Sequence, residues 1–372
     1  MPEPGLMRFV GEMFASRRRL RPDIGSEGKR RPRIGVAGSF GRGNYGDELF
    51  VKNYQFWFGH WADVYMLTQL TKSRVSTLIA ESIVDQMDAV VLGGGDLICP
   101  SKSKIDGDFI HPLYLRKPMH VAGVGVERNK PDMVPEVVSR WAKFLRHPNI
   151  RSISTRDAGS ASWLETHVNP KVPITSHPDL ACALPLPPAA KPPGAPIVGL
   201  VTRHIKNPKE YRLLEVVAAD LRSKGWRIRH VIGGIGKHGA KDMENARHLQ
   251  VDGKETFLSQ NLDDISRALG ECSLVLSMKL HTTLVATMYG VPTVCVNPVV
   301  KAREFMKSVD RDELVIGPTD KRLIDIIARG VPAPDAAKVK ALRADATDYM
   351  GKLGQRIWRD FAMNDRNSAP ET

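Results

Sequence analysis

Arg33-Ile34-Gly35-Val36-Ala37-Gly38-Ser39-Phe40-Gly41-Arg42-Gly43-Asn44-Tyr45-Gly46-Asp47-Glu48 reads as a short apolar strand, a glycine-rich turn and the acidic opening of a helix. A strand that is apolar at successive positions has no water-facing side, so it belongs inside a sheet covered on both faces. The same unit recurs. A helix at 47–58 leads to a second strand at 63–67, and 88–92 is a third strand that runs into Gly93-Gly94-Gly95. Strands at 120–126 and 150–155 follow, the latter entering Arg156-Asp157 and a helix. Residues 183–196 hold six prolines in fourteen positions. That is a semi-rigid linker, because proline continues neither helix nor ladder. The alternation restarts at 196–201, with strands at 227–232, 273–276 and 293–296, and one or two helices from 335 to 363. The expected fold class is α/β, with two doubly wound, Rossmann-like domains facing a cleft. The boundaries fall at a basic leader 1–32, an N-terminal domain 33–183, the linker 184–196, a C-terminal domain 197–330 and a helical tail 331–372.

The chain has 372 residues and carries 54 Lys plus Arg against 41 Asp plus Glu, a formal net charge of +13. Such a balance points to an acidic partner: nucleic acid, an anionic membrane or phosphorylated small molecules. Nucleic acid drops out, since no aromatic–basic interleaving or binding motif is present. Cys99, Cys182, Cys272 and Cys295 stand far apart with no metal-ligand spacing, so they read as buried small hydrophobes and no metal site is expected. The weakly charged run 272–300 contains Lys279, His281, Gly290 and Pro292 and is no membrane span. Within 1–33, nine basic and four acidic residues surround Leu6, Phe9, Val10, Met13 and Phe14, which share one helix face. The basic cluster follows the apolar stretch, unlike a secretory signal, and Glu3 and Glu12 count against a transit peptide. Two readings stand for this leader. One is an interfacial helix on anionic lipid; the other is a helix packed on its own domain with a solvated basic linker.

Four segments carry chemistry. Gly41-x-Gly43-x-x-Gly46 has dinucleotide-fingerprint spacing, but no acid ends the second strand, and Asp47 and Glu48 would repel a pyrophosphate. These glycines either make a tight turn or, with Asn44 and Asp47, contact sugar hydroxyls and orient a reacting group. Gly94 and Gly95 of the glycine triplet are suited to close backbone approach, to an anion or to another chain segment. Arg156, at a strand's carboxyl end, can clamp a carboxylate or phosphate, or pair with neighbours. Most informative is Ser277-Met278-Lys279-Leu280-His281-Thr282-Thr283. It places an acid–base group, His281, beside the cation Lys279 at a helix N-terminus, where free N–H groups attract anions.

In their order and spacing these pieces resemble the polysaccharide pyruvyl transferase family. The matching stretches are Gly43-Asn44-Tyr45-Gly46-Asp47-Glu48, Asp88 through Gly95, Gly123-Val124-Gly125 and Ser154 through Ser160. They continue with His177-Pro178-Asp179, then Ser277 through His281 and Gly290-Val291-Pro292. The family usually has arginine where this chain has Lys279, and lysine keeps the charge but loses the bidentate fork.

The resemblance implies a glycosyltransferase-B-like pair of domains. It also implies transfer of pyruvate from phosphoenolpyruvate to two hydroxyls of a sugar in a cell-surface polysaccharide precursor, with release of phosphate. On that reading His281 is the general acid, and Asp47 orients or deprotonates the sugar hydroxyl. Lys279, Leu280, Thr282, Arg156, Asn44, Gly94 and Gly95 contact substrate, with Arg203 and Lys301 as lesser anion contacts. No cofactor or metal is required, and phosphoenolpyruvate serves as donor substrate. The acceptor is expected to be lipid-linked, and the enzyme cytoplasmic, at the inner face of the cytoplasmic membrane. Two alternatives remain: a nucleotide-sugar glycosyltransferase of the same shape, or a non-catalytic saccharide-binding member. No Asp or Glu stands between Cys272 and Arg303 to hold a nucleotide ribose, which favours a smaller, more acidic donor.

Overall fold

The computed structural model of the chain describes residues 30–67, 74–102, 109–204 and 207–368. The leader read at 1–32 therefore lies, up to residue 29, outside the described residues. The N-terminal half runs β1 (Arg33–Ala37), α1 (Tyr45–Phe58), β2 (Asp63–Met66), α2 (Arg74–Asp85), β3 (Ala89–Ile98), β4 (Met119–Val126), α3 (Pro135–Leu145), β5 (Ile150–Thr155), α4 (Ala158–His167) and β6 (Ile174–Ser176). A 3-10 turn at Leu180–Ala183 closes it. The C-terminal half runs β7 (Ile197–Val201), α5 (Arg212–Ser223), β8 (Arg227–Val231), α6 (Gly236–Ala246), β9 (Glu255–Phe257), α7 (Leu262–Gly270), β10 (Leu274–Ser277), α8 (Leu280–Met288), β11 (Thr293–Cys295), α9 (Val300–Ser308) and α10 (Arg322–Arg329). A long helix, α11 (Ala336–Ser368), follows.

Both sheets are parallel throughout, in orders β2-β1-β3-β4-β5-β6 and β11-β10-β7-β8-β9. These are doubly wound sheets, as the alternating pattern implies. Each reverses direction once, between β1 and β3 in the first and between β7 and β10 in the second. The crevice outside the strand ends at such a reversal is where ligands bind in this architecture. The two halves meet beside the first reversal. Asn44, just before α1, forms an isolated bridge with Gly234, just after β8. The Ile235 N–H donates to the Gly43 carbonyl at 2.7 Å, and the Tyr45 and Ser266 hydroxyls lie 2.7 Å apart.

The glycine triplet behaves differently from the expected strand-then-loop. β3 continues through it to Ile98, with Gly93 paired to Ala122 and Gly95 to Val124. A side chain on Gly93 would collide with the Ala122 carbonyl, and one on Gly94 with the Phe50 ring. Gly94 and Gly95 also have φ near +85° and +84°, a region that favours glycine. The triplet thus lets strand, neighbour strand and α1 approach one another. β6 and β9, three residues each, are edge strands that the sequence reading did not contain, being too short to show a period.

α11 crosses back from the second half to pack on the 3-10 turn, α1 and β3 of the first. Its buried stripe, Val339, Leu342, Ala346, Tyr349, Met350, Leu353, Ile357 and Phe361, recurs every three or four residues, one face of a helix. Trp358 meets Trp61 edge to face at 5.9 Å. The expected one or two helices are one. Among the described residues, no helix is long and apolar enough to cross a membrane. Because Ile357 is fully buried in this seam, Ile357→Ala is expected to cost about 2–5 kcal/mol and Ile357→Val about 0.5–1.5 kcal/mol in urea unfolding. Equal, negligible losses would show that the helix is not docked.

Candidate functional site

β10 delivers the chain to the cleft, and the turn that follows is fixed by hydroxyls. The Lys279 N–H donates to Ser277 Oγ at 3.1 Å, Thr282 Oγ1 donates to the Lys279 carbonyl at 3.0 Å, and Ser277 Oγ and Thr282 Oγ1 lie 2.7 Å apart. His281 is thereby held in the first turn of α8. Its ring meets the Phe50 ring edge to face at 5.2 Å, and Gly46 lies so close that any Cβ there would overlap the imidazole. A helix of the first domain therefore shapes the seat of a side chain from the second.

Across this seam stands Asp179, nearly fully buried, with Oδ2 at 3.5 Å from His281 Nε2 and 3.8 Å from Arg156 Nη1. Its other oxygen accepts from the Ala181 N–H at 3.0 Å, which caps the 3-10 turn and fixes the carboxylate. Asp179 Oδ2, His281 Nε2 and Arg156 Nη1 are all buried with no hydrogen bond at normal distance. Three buried polar atoms converging without partners are costly unless a ligand or a shift of charge satisfies them.

Arg156 also pairs with Asp96, and Lys301 reaches the second oxygen of Asp96 at 3.2 Å. The result is a line of alternating charge, Lys301–Asp96–Arg156–Asp179–His281, whose two ends belong to the second domain and whose middle belongs to the first. Burial opposes ionisation of Asp96, but Arg156 and Lys301 outweigh it and hold its carboxyl below the ordinary 3.8. Burial likewise opposes ionisation of Asp179, outweighed by His281, Arg156 and the Ala181 N–H. For Arg156, burial disfavours the charge, yet Asp96, Asp179 and Asp157 hold the guanidinium protonated above its ordinary range.

A cavity of about 450 Å³ opens beside this line. Arg156, Asp179, Leu280 and Lys301 line it, together with His177, Glu304, Lys307 and Asp345. The volume is in the range of small-molecule sites. The expected site residues divide against this geometry. Arg156, Leu280 and Lys301 line the cavity; His281 does not, but its partner Asp179 does. Asp47 does not line it: its carboxylate accepts from Asn44 Nδ2 at 3.0 Å, next to Gly95. Lys279, expected at the donor, turns away to pair with buried Asp242 and to donate to the Gly233 carbonyl at 2.8 Å. Thr282 is fully buried and serves the helix turn, and Gly94 is covered by Phe50. The Arg203 side chain is exposed and does not line the cavity, while its carbonyl accepts from Tyr211 at 2.6 Å. Among the described residues, no group of three side chains could hold a metal ion.

Sequence reasoning assigned no role to Asp179, Asp96 or Phe50. The first two had a signal, since Asp179 closes His177-Pro178-Asp179 and Asp96 follows the glycine triplet directly. Phe50 had none, being one apolar residue of an apolar helix face.

The depressed carboxyls make the site acid-sensitive. Their stabilisation is complete above the ordinary carboxylate value and is lost as pH falls through the lowered folded value, so the loss lies below about pH 4. Asp96→Asn should remove part of that acid limb and, by leaving Arg156 buried beside an uncharged amide, cost about 3–5 kcal/mol at neutral pH. An unchanged unfolding midpoint at pH 7 would show that the pair contributes nothing.

Comparison with solved structures returns the same architecture. MnaA of S. aureus in complex with UDP aligns over 90% of this chain and 97% of that one at TM-score 0.56 and 12% identity. The UDP-GlcNAc 2-epimerase of Neisseria meningitidis, bound to UDP-GlcNAc, aligns over 89% and 100% at TM-score 0.52 and 10% identity. UDP-N-acetylglucosamine 2-epimerase from Rickettsia bellii aligns over 90% and 97% at TM-score 0.52 and 13% identity. At these identities the likeness is one of fold, two Rossmann-like domains in the glycosyltransferase-B arrangement. No curated protein matches the sequence significantly. The model of one family does, over residues 44–298, a span that holds α1, β3, the reversal between β7 and β10, Asp179 and His281. The chain belongs to the polysaccharide pyruvyl transferase family.

Proposed function

We propose that the protein transfers pyruvate from phosphoenolpyruvate to two hydroxyls of a sugar, forming a cyclic ketal and releasing phosphate. The observation that carries this reading is the His281–Asp179 pair, buried at the domain seam with unsatisfied polar atoms, next to a cavity walled by Arg156, Lys301 and Lys307. Phosphoenolpyruvate has a carboxylate and a phosphate, and cations in a partly desolvated site bind such groups strongly.

The reaction balances on the substrates alone. The methylene carbon gains a proton, one sugar hydroxyl oxygen bonds to the central carbon, and the second hydroxyl oxygen displaces phosphate from it. Of the two hydroxyl protons lost, one is matched by the new methyl C–H and the other ends on phosphate. His281 is the acid that protonates the methylene carbon. Asp179, 3.5 Å from Nε2, holds the imidazole in one orientation, as a buried carboxylate does for a histidine partner. Arg156, already anchored by Asp96, presents its unpartnered Nη1 to the donor.

The test is incubation with phosphoenolpyruvate and candidate hexose acceptors, with phosphate release and ketal formation followed by NMR. His281→Ala should lower turnover by about 10²–10⁴-fold while far-UV circular dichroism is unchanged. Retained turnover removes the assigned role, and a wild-type chain that neither binds nor consumes phosphoenolpyruvate overturns the reading.

The acceptor in this reading is lipid-linked and the enzyme sits at the inner face of the cytoplasmic membrane, with the basic leader as the contact. Basic residues near an anionic surface contribute about 1 kcal/mol each. Deleting residues 1–29 should abolish co-sedimentation with phosphatidylglycerol-containing vesicles. Undiminished sedimentation would place the contact elsewhere.

A further inference from the structure

His177 lines the cavity and has no part in the reaction as described so far. Its Nδ1 lies 2.8 Å from Asp345 Oδ1, and its ring stacks on the Tyr349 ring with centroids 4.5 Å apart and planes 26° from parallel. Asp345 and Tyr349 both belong to α11, beyond the 44–298 stretch that the family shares. Tyr349 is itself fixed, its hydroxyl accepting from Ser154 Oγ at 2.6 Å. The imidazole is thus clamped on one nitrogen and one face, while Nε2, on the far side of the ring, has no hydrogen bond among the described residues. A histidine whose one nitrogen is held by a carboxylate while the other is free is the arrangement of a general base.

The chain path makes this pair more than a surface contact. The tripeptide His177-Pro178-Asp179 supplies one imidazole to the cavity and, two residues later, the carboxylate that holds the other imidazole, His281. Proline between them fixes a backbone torsion, so the two groups keep their relative placement. Two histidine–aspartate pairs therefore meet one cavity, His177–Asp345 with both members on its wall and His281–Asp179 through Asp179.

We infer that His177, oriented by Asp345 and Tyr349 of α11, is the base that accepts the proton of the attacking sugar hydroxyl. This rests on the pyruvyl-transfer reading and gives it a proton acceptor on the cavity wall itself, where His177 stands. In the first step the hydroxyl O–H breaks, its oxygen bonds to the central carbon, and its proton moves to His177 Nε2, while the methylene carbon takes a proton from His281. In the second, the other hydroxyl oxygen bonds to the same carbon, the C–O bond to phosphate breaks, and that hydroxyl's proton leaves on phosphate. The proton on His177 passes to solvent, and His281 regains one from solvent, so both imidazoles return to their starting states.

The test compares wild type, His177→Ala and Asp345→Asn with phosphoenolpyruvate and the acceptor found for the wild-type enzyme. His177→Ala should lower kcat about 10²-fold, leave phosphoenolpyruvate affinity within about twofold, and recover partly when imidazole is added to the buffer. Asp345→Asn should lower kcat less, about tenfold, with the same unchanged donor affinity. A His177→Ala enzyme with wild-type kcat, or with only a raised acceptor KM, overturns the inference and leaves pyruvyl transfer standing. So does a kcat loss that imidazole does not rescue, because a merely structural histidine gives that result. A wild-type chain with no phosphoenolpyruvate binding or turnover overturns both.

Discussion

Asp179 carries a negative charge in a buried seam, and the rest of the site depends on how that charge is tolerated. An isolated carboxylate there would be costly enough to neutralise itself or to admit water. Arg156 from its own domain and His281 from the other stand on either side of it, and the Ala181 N–H fixes its remaining oxygen. With these partners in place the carboxylate stays ionised in spite of its burial, and its charge faces His281 across the seam. The same logic extends outward through Arg156 to Asp96 and Lys301. A line of alternating charge that leaves one domain and returns to it joins the two across their seam.

The fold makes this line possible by bringing two switch points into contact. At each reversal of strand order, neighbouring chain segments diverge and leave a crevice. Here both crevices are narrowed by glycines. Gly93 and Gly94 let β3 lie against β4 and Phe50, and Gly46 lets α1 lie against His281. At Gly43, where φ is +85°, the turn before α1 can hydrogen-bond the loop after β8 in the other domain. The glycines that resembled a dinucleotide fingerprint thus serve approach of protein to protein. The acid missing from the second strand and the two acids at the helix start agree with that role.

The C-terminal helix lies beyond the stretch that the family model matches. Its apolar stripe, Tyr349 included, pins it to the first domain and brings Asp345 to the cavity wall beside His177, whose ring stacks on Tyr349. Packing and chemistry use adjacent faces of one helix, so the element that closes the fold also completes the rim of the site.

Local pattern was legible wherever a residue's neighbours in sequence are also its neighbours in space. The apolar runs of β1, β3 and β7, the proline-rich stretch between the halves and the hydroxyl-rich turn before α8 all declare themselves within a few residues. They suffice for two doubly wound domains and for His281 at a helix start above a strand end. The sequence alone also determined which ionisable side chains were available at those ends. It could not decide which of them meet. Lys279 finds Asp242, 37 residues away, and does not line the cavity, while Arg156 finds Asp96 and His281 finds Asp179 from the opposite domain. Those partnerships are set by how the two sheets and the returning helix stack. Charge pairing acts through space over a few ångströms and carries no period along the chain, so only the tertiary structure could show it.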